Sequence, residues 1–372
     1  MTPAEIAALQ AAGLYDPAAP NAADRLALIE WLAAQGASVD AMIASGGRGA
    51  TLTGLAGDLA LRGPAARLTL REVADLAGMA PERIEAIRRA SGLPPAAAEE
   101  RLFGPDDASA FASFGLAASL FGEEPTLHFI RVVGSALARV AEAAVSLFLV
   151  TIEEPLRAAG GTETQLAKAN LQVMEALRII PPVTYSLLRA HLETAIRRMR
   201  SAREAQSVDL VRMTVGFVDL VGFTTLSQAL SVRELADLVA EFEAVAQDLV
   251  AARDGRLVKL IGDEVMFVTV AASAACDVAL ALVERFWHDA AITPRGGLAT
   301  GPLLMRSGDY FGPIVNLAAR IAELAVPHEI LVTDELRLSA GETGWRFEPA
   351  GKRLLKGFEQ PVTLYAVQRG RA

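Results

Sequence analysis

Cysteine is almost absent from the chain, since Cys276 stands alone among 372 residues. A single cysteine excludes an internal disulfide and is typical of a reducing compartment. Its place in an alanine-rich helical run predicts a core residue rather than a reactive thiol. The opening residues, MTPAEIAALQAAG, lack the basic start and long apolar stretch of a secretory signal, so we expect a cytoplasmic protein.

Basic residues are also fewer than acidic ones. The chain has 35 lysines and arginines against 44 aspartates and glutamates, a net charge of −9, which disfavours general binding to nucleic acid or an anionic membrane. The most apolar window, 128–150, is interrupted by Arg131, Arg139 and Glu142. These charges argue against a membrane span and predict a buried helix, with a lipid-lining role for this stretch as the alternative.

Length and patterning indicate two domains. With 52% hydrophobic residues, the chain is too long for one ordinary core. Helical periodicity dominates before residue 205, and alternating strands and helices follow it. We predict an all-α domain over 1–190, a helical linker over 191–207 and an α+β domain over 208–372. The polar, arginine-rich linker is either a solvated spacer or a rigid helix that transmits conformation.

Individual elements of the second domain can be predicted from turn and cap signals. RMTVGFV reads as a buried strand, and Ser231 and Gly255 bracket a long helix. RLVKLI and EVMFVTV form a hairpin with Gly262 in its turn. Helices over 271–291 and 315–325 alternate with further strands, which gives a sheet with helices mainly on one face.

Two carboxylates stand out because they interrupt apolar segments. Asp219 ends the first strand in FVDLVGFTTLSQ, and Asp263 lies in the hairpin turn 44 positions later. If the strands are neighbours, both side chains meet at one edge of the sheet. Paired carboxylates suit Mg²⁺ or Mn²⁺ with substrate phosphates, whereas either residue alone is better explained as a turn or cap residue.

Four further polar positions complete the candidate site. Asn316 and Arg320 are four residues apart, on one face of a predicted helix. Lys259 alternates with aliphatic residues in the hairpin and therefore needs an acceptor. Lys356, in LLKGFEQ, is individually best explained as a surface lysine.

Taken together, four segments resemble the catalytic domain of class III nucleotide cyclases. They are VGFVDLVGFTTLSQ, LVKLIGDEVMF, GDYFGPIVNLAARI and LLKGFEQPVTLYAV, in the family's order over about 208–368. The resemblance implies a ferredoxin-like α+β fold and conversion of a nucleoside triphosphate to a cyclic nucleotide. It also implies a homodimer, with each active site at the interface of two catalytic domains.

The resemblance assigns roles to the metal and base positions. Asp219 and Asp263 would bind two divalent metal ions, helped by the Leu220 carbonyl. Lys259 and Asp309 would recognise the purine. A lysine donor and an aspartate acceptor match adenine N1 and its 6-amino group, whereas guanine reverses that edge, so the expected substrate is ATP.

The remaining assignments concern the sugar and the phosphates. Asn316 would position the ribose, Arg320 would stabilise charge on the α-phosphate, and Lys356 would hold the terminal phosphates. Because every assigned position carries the family's residue, a catalytically silent nucleotide-binding module is the weaker alternative.

The first half resembles the regulatory domain of soluble actinobacterial cyclases, which implies a dimeric helical module. Its signal stays open between a proton, with His191 as a candidate sensor, and an apolar ligand. LTLREVADLAGMAPERIEAIRRASG also reads as a helix-turn-helix with Gly78 in the turn. DNA contacts by Arg83, Arg88 and Arg89 are disfavoured by the acidic residues between them.

Overall fold

The computed structural model describes residues 1–47, 52–63, 66–202, 210–287, 293–341 and 343–370. Contacts divide the chain into two compact units, Met1–Leu187 and Leu188–Ala372. The predicted domain boundary at 190 stays a prediction. The predicted linker over 191–207 is described only as far as residue 202, and the rest of it lies outside the described residues.

Helices make up the first unit. In chain order they are α1 (Pro3–Ala11), α2 (Ala22–Ala34), α3 (Val39–Gly47), α4 (Leu55–Arg62), α5 (Leu70–Ala77), α6 (Pro81–Ala90), α7 (Pro105–Phe121), α8 (Glu123–Phe148), α9 (Glu154–Ala158), α10 (Glu163–Ala176) and α11 (Ile180–Ala202). Short 3-10 turns cover Leu52–Gly54 and Leu177–Ile179, and a π-helical segment covers Leu149–Glu153. The division between the units falls within α11.

The second unit is an eight-stranded mixed sheet with helices. Its elements are β1 (Leu210–Leu220), α12 (Phe223–Ala229), α13 (Val232–Ala251), β2 (Arg256–Ile261), β3 (Glu264–Thr269), α14 (Ala272–Arg285), β4 (Pro294–Arg306), β5 (Asp309–Phe311), α15 (Pro313–Leu324), β6 (Ile330–Thr333), α16 (Asp334–Ala340), β7 (Trp345–Arg353) and β8 (Val362–Arg369). The strand order is β2-β3-β1-β4-β6-β8-β7, and β5 pairs with β4. The predicted helix over 271–291 ends at Arg285, and 288–292 lie outside the described residues.

Both faces of this sheet are covered, because residues of β1 alternate between two cores. Val218 and Leu220 point into a cluster with α13, α14 and α16. Val215 and Phe217 point into a second cluster with α15 and the end of α11. Cys276 lies in the first cluster with no exposed surface, as predicted, and burial raises its pKa to about 12.

The approach of α15 to the sheet requires a glycine on β4. A Cβ added at Gly297 would lie 2.2 Å from the Ala322 nitrogen and 2.5 Å from the Ala318 oxygen. Only a residue without a side chain therefore permits this contact. The close packing fixes α15, which carries Asn316 and Arg320, against the centre of the sheet.

The prediction that 128–150 forms a buried helix is wrong for the single chain. The stretch is helical, but α8 buries only Thr126, Ile130 and Phe148, while Phe129 and Leu147 are each 65% exposed. Composition fixes how apolar a helix is but not how many neighbours cover it. Among the described residues one stretch, Glu123–Ala158, meets the length and hydropathy of a membrane span, and an 18-residue window of it is 11% buried.

The helix-turn-helix is present, yet two of its three candidate arginines, Arg83 and Arg88, already have partners within the protein, while Arg89 is exposed. Thr69 caps α5 and Gly78 ends it in the left-handed region, with φ of 63°. Arg88 is 7% exposed; it donates to the Pro94 carbonyl and lies over the Phe103 ring. Arg83 pairs with Glu123. These contacts weigh further against DNA binding by this motif.

Candidate active site

The end of β1 delivers Asp219 to the edge of the sheet. Antiparallel pairing of Val218 with Val265 places this end beside the start of β3. Asp263 lies in the β2–β3 turn, which Gly262 makes possible with φ of 67°. Burial raises the pKa of Asp263, and the nearby charge of Asp219 raises it further. The two carboxylates therefore meet at one edge of the sheet, as the strand order was expected to bring them.

Sequence reasoning missed a third acid at this edge. Glu264 directly follows Asp263 and opens β3. Burial, followed by the charges of Asp219 and Asp263, raises its pKa to about 7. We call these three side chains the carboxylate cluster. Its density of negative charge favours a neighbouring cation.

Arg295 supplies that cation, and it too was missed. Its Nε donates to Asp219 Oδ1 at 2.9 Å and its Nη2 donates to Oδ2 at 3.0 Å. Its Nη1 donates to the carbonyls of Glu323 and Ala325. The only sequence signal was pairing between β1 and β4, which sets Arg295 directly opposite Asp219. That pairing cannot be read from either strand alone.

The donor set is consistent with divalent cations held partly by substrate. Within the described ranges no group of three or more His, Cys, Asp or Glu side chains is arranged to hold a metal ion. Mg²⁺ is commonly held by one or two carboxylates together with substrate phosphates and water. Asp219 and Asp263 meet that requirement. Leu220 ends β1 with its side chain 3% exposed, and the role of its carbonyl stays a prediction.

Lys259 has the hydrogen-bond acceptor that its position among aliphatic residues was expected to require. Its Nζ donates to Asp309 Oδ2 at 2.8 Å, across from β2 to β5. The Tyr310 N–H donates to Asp309 Oδ1 at 2.8 Å. Burial opposes ionisation of Asp309, but these hydrogen bonds outweigh it and lower the pKa. A charged acceptor and a charged donor are thus fixed side by side, which we call the Lys–Asp pair.

The phosphate and ribose positions are more open. Asn316 is exposed on α15, and Arg320, one turn later, pairs with Glu323. Lys356 is exposed in the turn between β7 and β8. Among the residues the structure describes, the side chains of Asn316 and Lys356 make no hydrogen bond or ion pair within the protein. Their side chains are free to meet a ligand.

The carboxylate cluster and the Lys–Asp pair have different partners within a single chain. In the described part of the chain, no hydrogen bond or ion pair joins the carboxylate cluster to the Lys–Asp pair. The charges that shift the pKa of Asp263 come from Asp219 and Arg295, whereas those that shift the pKa of Asp309 come from Lys259 and Arg256.

Comparison with known proteins assigns both halves. A family model described as adenylate cyclase regulatory domain matches residues 8–196, and one described as adenylate and guanylate cyclase catalytic domain matches 204–369. A pH-sensitive adenylate cyclase of Mycobacterium tuberculosis is 31% identical over 94% of this chain and 89% of that protein. The chain belongs to the class III adenylate cyclase family. This confirms the predicted helical regulatory half and cyclase-type α+β half.

Another relative also matches over nearly the whole chain. An uncharacterized Mycobacterium tuberculosis protein is 34% identical over 96% of this chain and 93% of its own length. Among solved structures, the adenylyl cyclase CyaB from P. aeruginosa is 27% identical, with a TM-score of 0.40, over 44% of this chain and 98% of that one.

Proposed function

We propose that this cyclase converts ATP to 3′,5′-cyclic AMP and pyrophosphate. The observation that carries the proposal is the Lys–Asp pair, with Lys259 Nζ 2.8 Å from Asp309 Oδ2. An ammonium has three donors and a carboxylate about four acceptor sites, so each retains capacity for a base. Adenine offers an acceptor at N1 beside a 6-amino donor, which is the complementary pattern. Guanine would instead place its N1–H donor against the Lys259 donor and its O6 acceptor against the Asp309 acceptor.

The carboxylate cluster supports the phosphate chemistry. Two divalent cations, once bound, would neutralise the triphosphate and make the ribose 3′ oxygen a better nucleophile. Asp219 and Asp263 would hold them. In the reaction the 3′ oxygen bonds to the α-phosphorus, the bond to the bridging oxygen breaks, and pyrophosphate leaves. The 3′ hydroxyl proton passes to solvent.

The remaining predicted residues act on the substrate directly. Asn316 would orient the ribose, so that the 3′ oxygen is aligned for attack. Arg320 would stabilise the charge that develops on the α-phosphate oxygens, after exchanging Glu323 for that partner. Lys356 would bind the terminal phosphates, where its exposed ammonium acts as a point charge.

A variant of the carboxylate cluster tests the proposal. Asp219→Asn keeps the shape of the side chain but removes the charge, and we expect at least a hundredfold loss of cyclic AMP formation with Mn²⁺. The matched control is Asp237→Asn, at an exposed position of α13, which should retain wild-type activity. Equal activity in the two variants would refute the assigned role of Asp219.

A homodimer is the proposed active form: among the described residues, no hydrogen bond or ion pair joins the two parts of the site within one chain. Each complete site would combine the carboxylate cluster of one chain with the Lys–Asp pair and α15 of a second. Mixing inactive Asp219→Asn with inactive Asn316→Ala should then restore part of the activity, since one of the two sites in the mixed dimer keeps both residues. No recovery from a verified mixed dimer would contradict this arrangement.

Regulation by the helical half and a cytoplasmic location complete the proposal. The regulatory-domain match over 8–196 supports the former. His191 lies exposed on α11, where it stays a candidate proton sensor beside the alternative of an apolar ligand. The rival function is a silent nucleotide-binding module. It predicts ATP binding without product, which the same assay distinguishes.

A further inference from the structure

An arginine near the C-terminal end of α11 contacts the turn that precedes β2. Arg198 is 8% exposed, and its Nη2 donates to the Gly255 carbonyl at 2.9 Å while its Nε donates to the Asp254 carbonyl at 3.3 Å. Its neighbours Met199 and Ala202 pack into the core cluster beneath β1. We call the Arg198 contacts the α11 latch.

The α11 latch contacts a turn whose backbone conformation is restricted. Asp254 adopts a φ of 52°, a region that non-glycine residues rarely occupy. A Cβ at Gly255 would lie 2.9 Å from Val250 Cγ1 and 3.2 Å from Thr269 Cγ2. These carbonyls follow the C-terminus of α13, where the helix dipole favours a positive charge. The guanidinium therefore holds a specific backbone geometry rather than a loose surface loop.

That turn leads directly into the strand that carries the Lys–Asp pair. β2 begins at Arg256, whose Nη2 donates to the Gly308 carbonyl at 2.6 Å. Three residues later Lys259 reaches Asp309. Lys259 lies four positions after Gly255, a span of at most about 13 Å at strand spacing. The pairing of β2 with β3 shifts register between Leu257 and Lys259, so the path of the chain from the turn through this irregularity sets where Lys259 lies opposite Asp309.

We infer that Arg198 is a positioning residue for base recognition: through the latch, the end of α11 sets the alignment of Lys259 with Asp309. The inference deepens the proposed function and rests on the Lys–Asp pair being the adenine-reading element. It assigns the last turns of α11 a definite effect, because a shift of this helix would change nucleotide selectivity through β2.

The neighbouring arginine provides a matched control. Arg197 also contacts Asp254, but through the carboxylate at 3.2 Å, and both side chains are more than half exposed. An exposed ion pair of this kind contributes little. Arg197→Met and Arg198→Met therefore remove the same group one position apart, and only the second removes the contact to the backbone of the turn.

The experiment measures kcat/KM for ATP and for GTP in the full-length protein. We expect the ATP-to-GTP ratio to fall about tenfold in Arg198→Met, to stay within about twofold in Arg197→Met, and to recover partly in Arg198→Lys. A merely structural role lowers the amount of folded enzyme and reduces both rates equally, which leaves the ratio unchanged. An unchanged ratio in Arg198→Met would overturn the inference.

A binding measurement separates this inference from the proposed function. If the wild-type protein makes no cyclic nucleotide from either substrate, the proposed function fails, and the same ratio is then obtained by competition of ATP and GTP against a fluorescent ATP analogue. A selective wild-type protein whose selectivity is lost in Arg198→Met still supports the latch. Equal selectivity of the wild type, Arg197→Met and Arg198→Met in that assay refutes it.

Discussion

Replacing Arg295 with methionine probes the charge balance at the edge of the sheet. The change removes two hydrogen bonds to Asp219, at 2.9 and 3.0 Å, and two to the carbonyls of Glu323 and Ala325, at 3.1 and 3.0 Å. Among the described residues it leaves Asp219 beside two other carboxyl groups without the positive charge that lowers their pKa values. In the metal-free protein this arrangement is strongly unfavourable.

The expected magnitude follows from burial. Breaking a fully buried ion pair costs about 3–5 kcal/mol. The side chains of Arg295 and Asp219 are 25% and 20% exposed, so water compensates part of the loss. We expect the free energy of unfolding of the second unit to fall by about 2–3 kcal/mol, which for a unit of this size lowers Tm by about 4–12 °C. Arg285→Met, which breaks an exposed pair with Glu241, should cost under about 0.5 kcal/mol.

Tryptophan fluorescence can report on the second unit alone. Of the chain's three tryptophans, only Trp31 lies in the first unit. Urea unfolding in a Trp31→Phe background therefore follows Trp287 and Trp345. Mn²⁺ should stabilise Arg295→Met more than the wild type, because the metal no longer competes with a guanidinium for Asp219. Stability of Arg295→Met equal to that of Arg285→Met would refute the reasoning.

Two further perturbations test the site and its support. Because the pKa of Glu264 is raised to about 7 from 4.5, the folded state keeps a proton that the unfolded state loses, so metal-free stability falls as pH rises through this window. Glu264→Gln should remove that pH dependence and raise the free energy of unfolding at pH 8 by about 1 kcal/mol, after allowance for solvent exposure. The measurement is urea unfolding in EDTA at pH 5 and pH 8. The same change in stability between the two pH values in the variant and the wild type would contradict this. Gly297→Ala places a Cβ 2.2 Å from the Ala322 nitrogen and should lower the free energy of unfolding by at least about 2 kcal/mol. The control Gly54→Ala places a Cβ with nothing within 4 Å and should leave stability nearly unchanged. Equal thermal stability of the two variants would show that α15 shifts easily to admit the new side chain.

Local signals in the sequence carried much of the fold. Ser231 forms the capping box that begins α13, and the Gly262 turn joins the two strands of the hairpin as predicted. Lys259 was correctly expected to need an acceptor, because a charged residue among aliphatic ones is costly unless paired. Such features depend on a few neighbouring residues, so they can be read without knowledge of the tertiary structure.

Features set by distant pairing could not be read in this way. Arg295 joins Asp219 only because β1 and β4 are neighbours in register, across 76 positions of sequence. The exposure of α8 depends on how many helices cover it, which composition does not encode. The α11 latch is similar, since Arg198 in an arginine-rich stretch looks like a solvated residue until its contacts with Asp254 and Gly255 are known.

The central claim is that the intact protein is an adenylate cyclase with preference for ATP. The most direct measurement is to incubate the wild-type protein with Mn²⁺ and equal concentrations of ATP and GTP, and to quantify the products by mass spectrometry. We predict cyclic AMP and pyrophosphate in equal amounts, with cyclic GMP at a small fraction of the cyclic AMP. Cyclic GMP as the main product would contradict the assigned role of the Lys–Asp pair, and the absence of both cyclic nucleotides would contradict the cyclase activity itself.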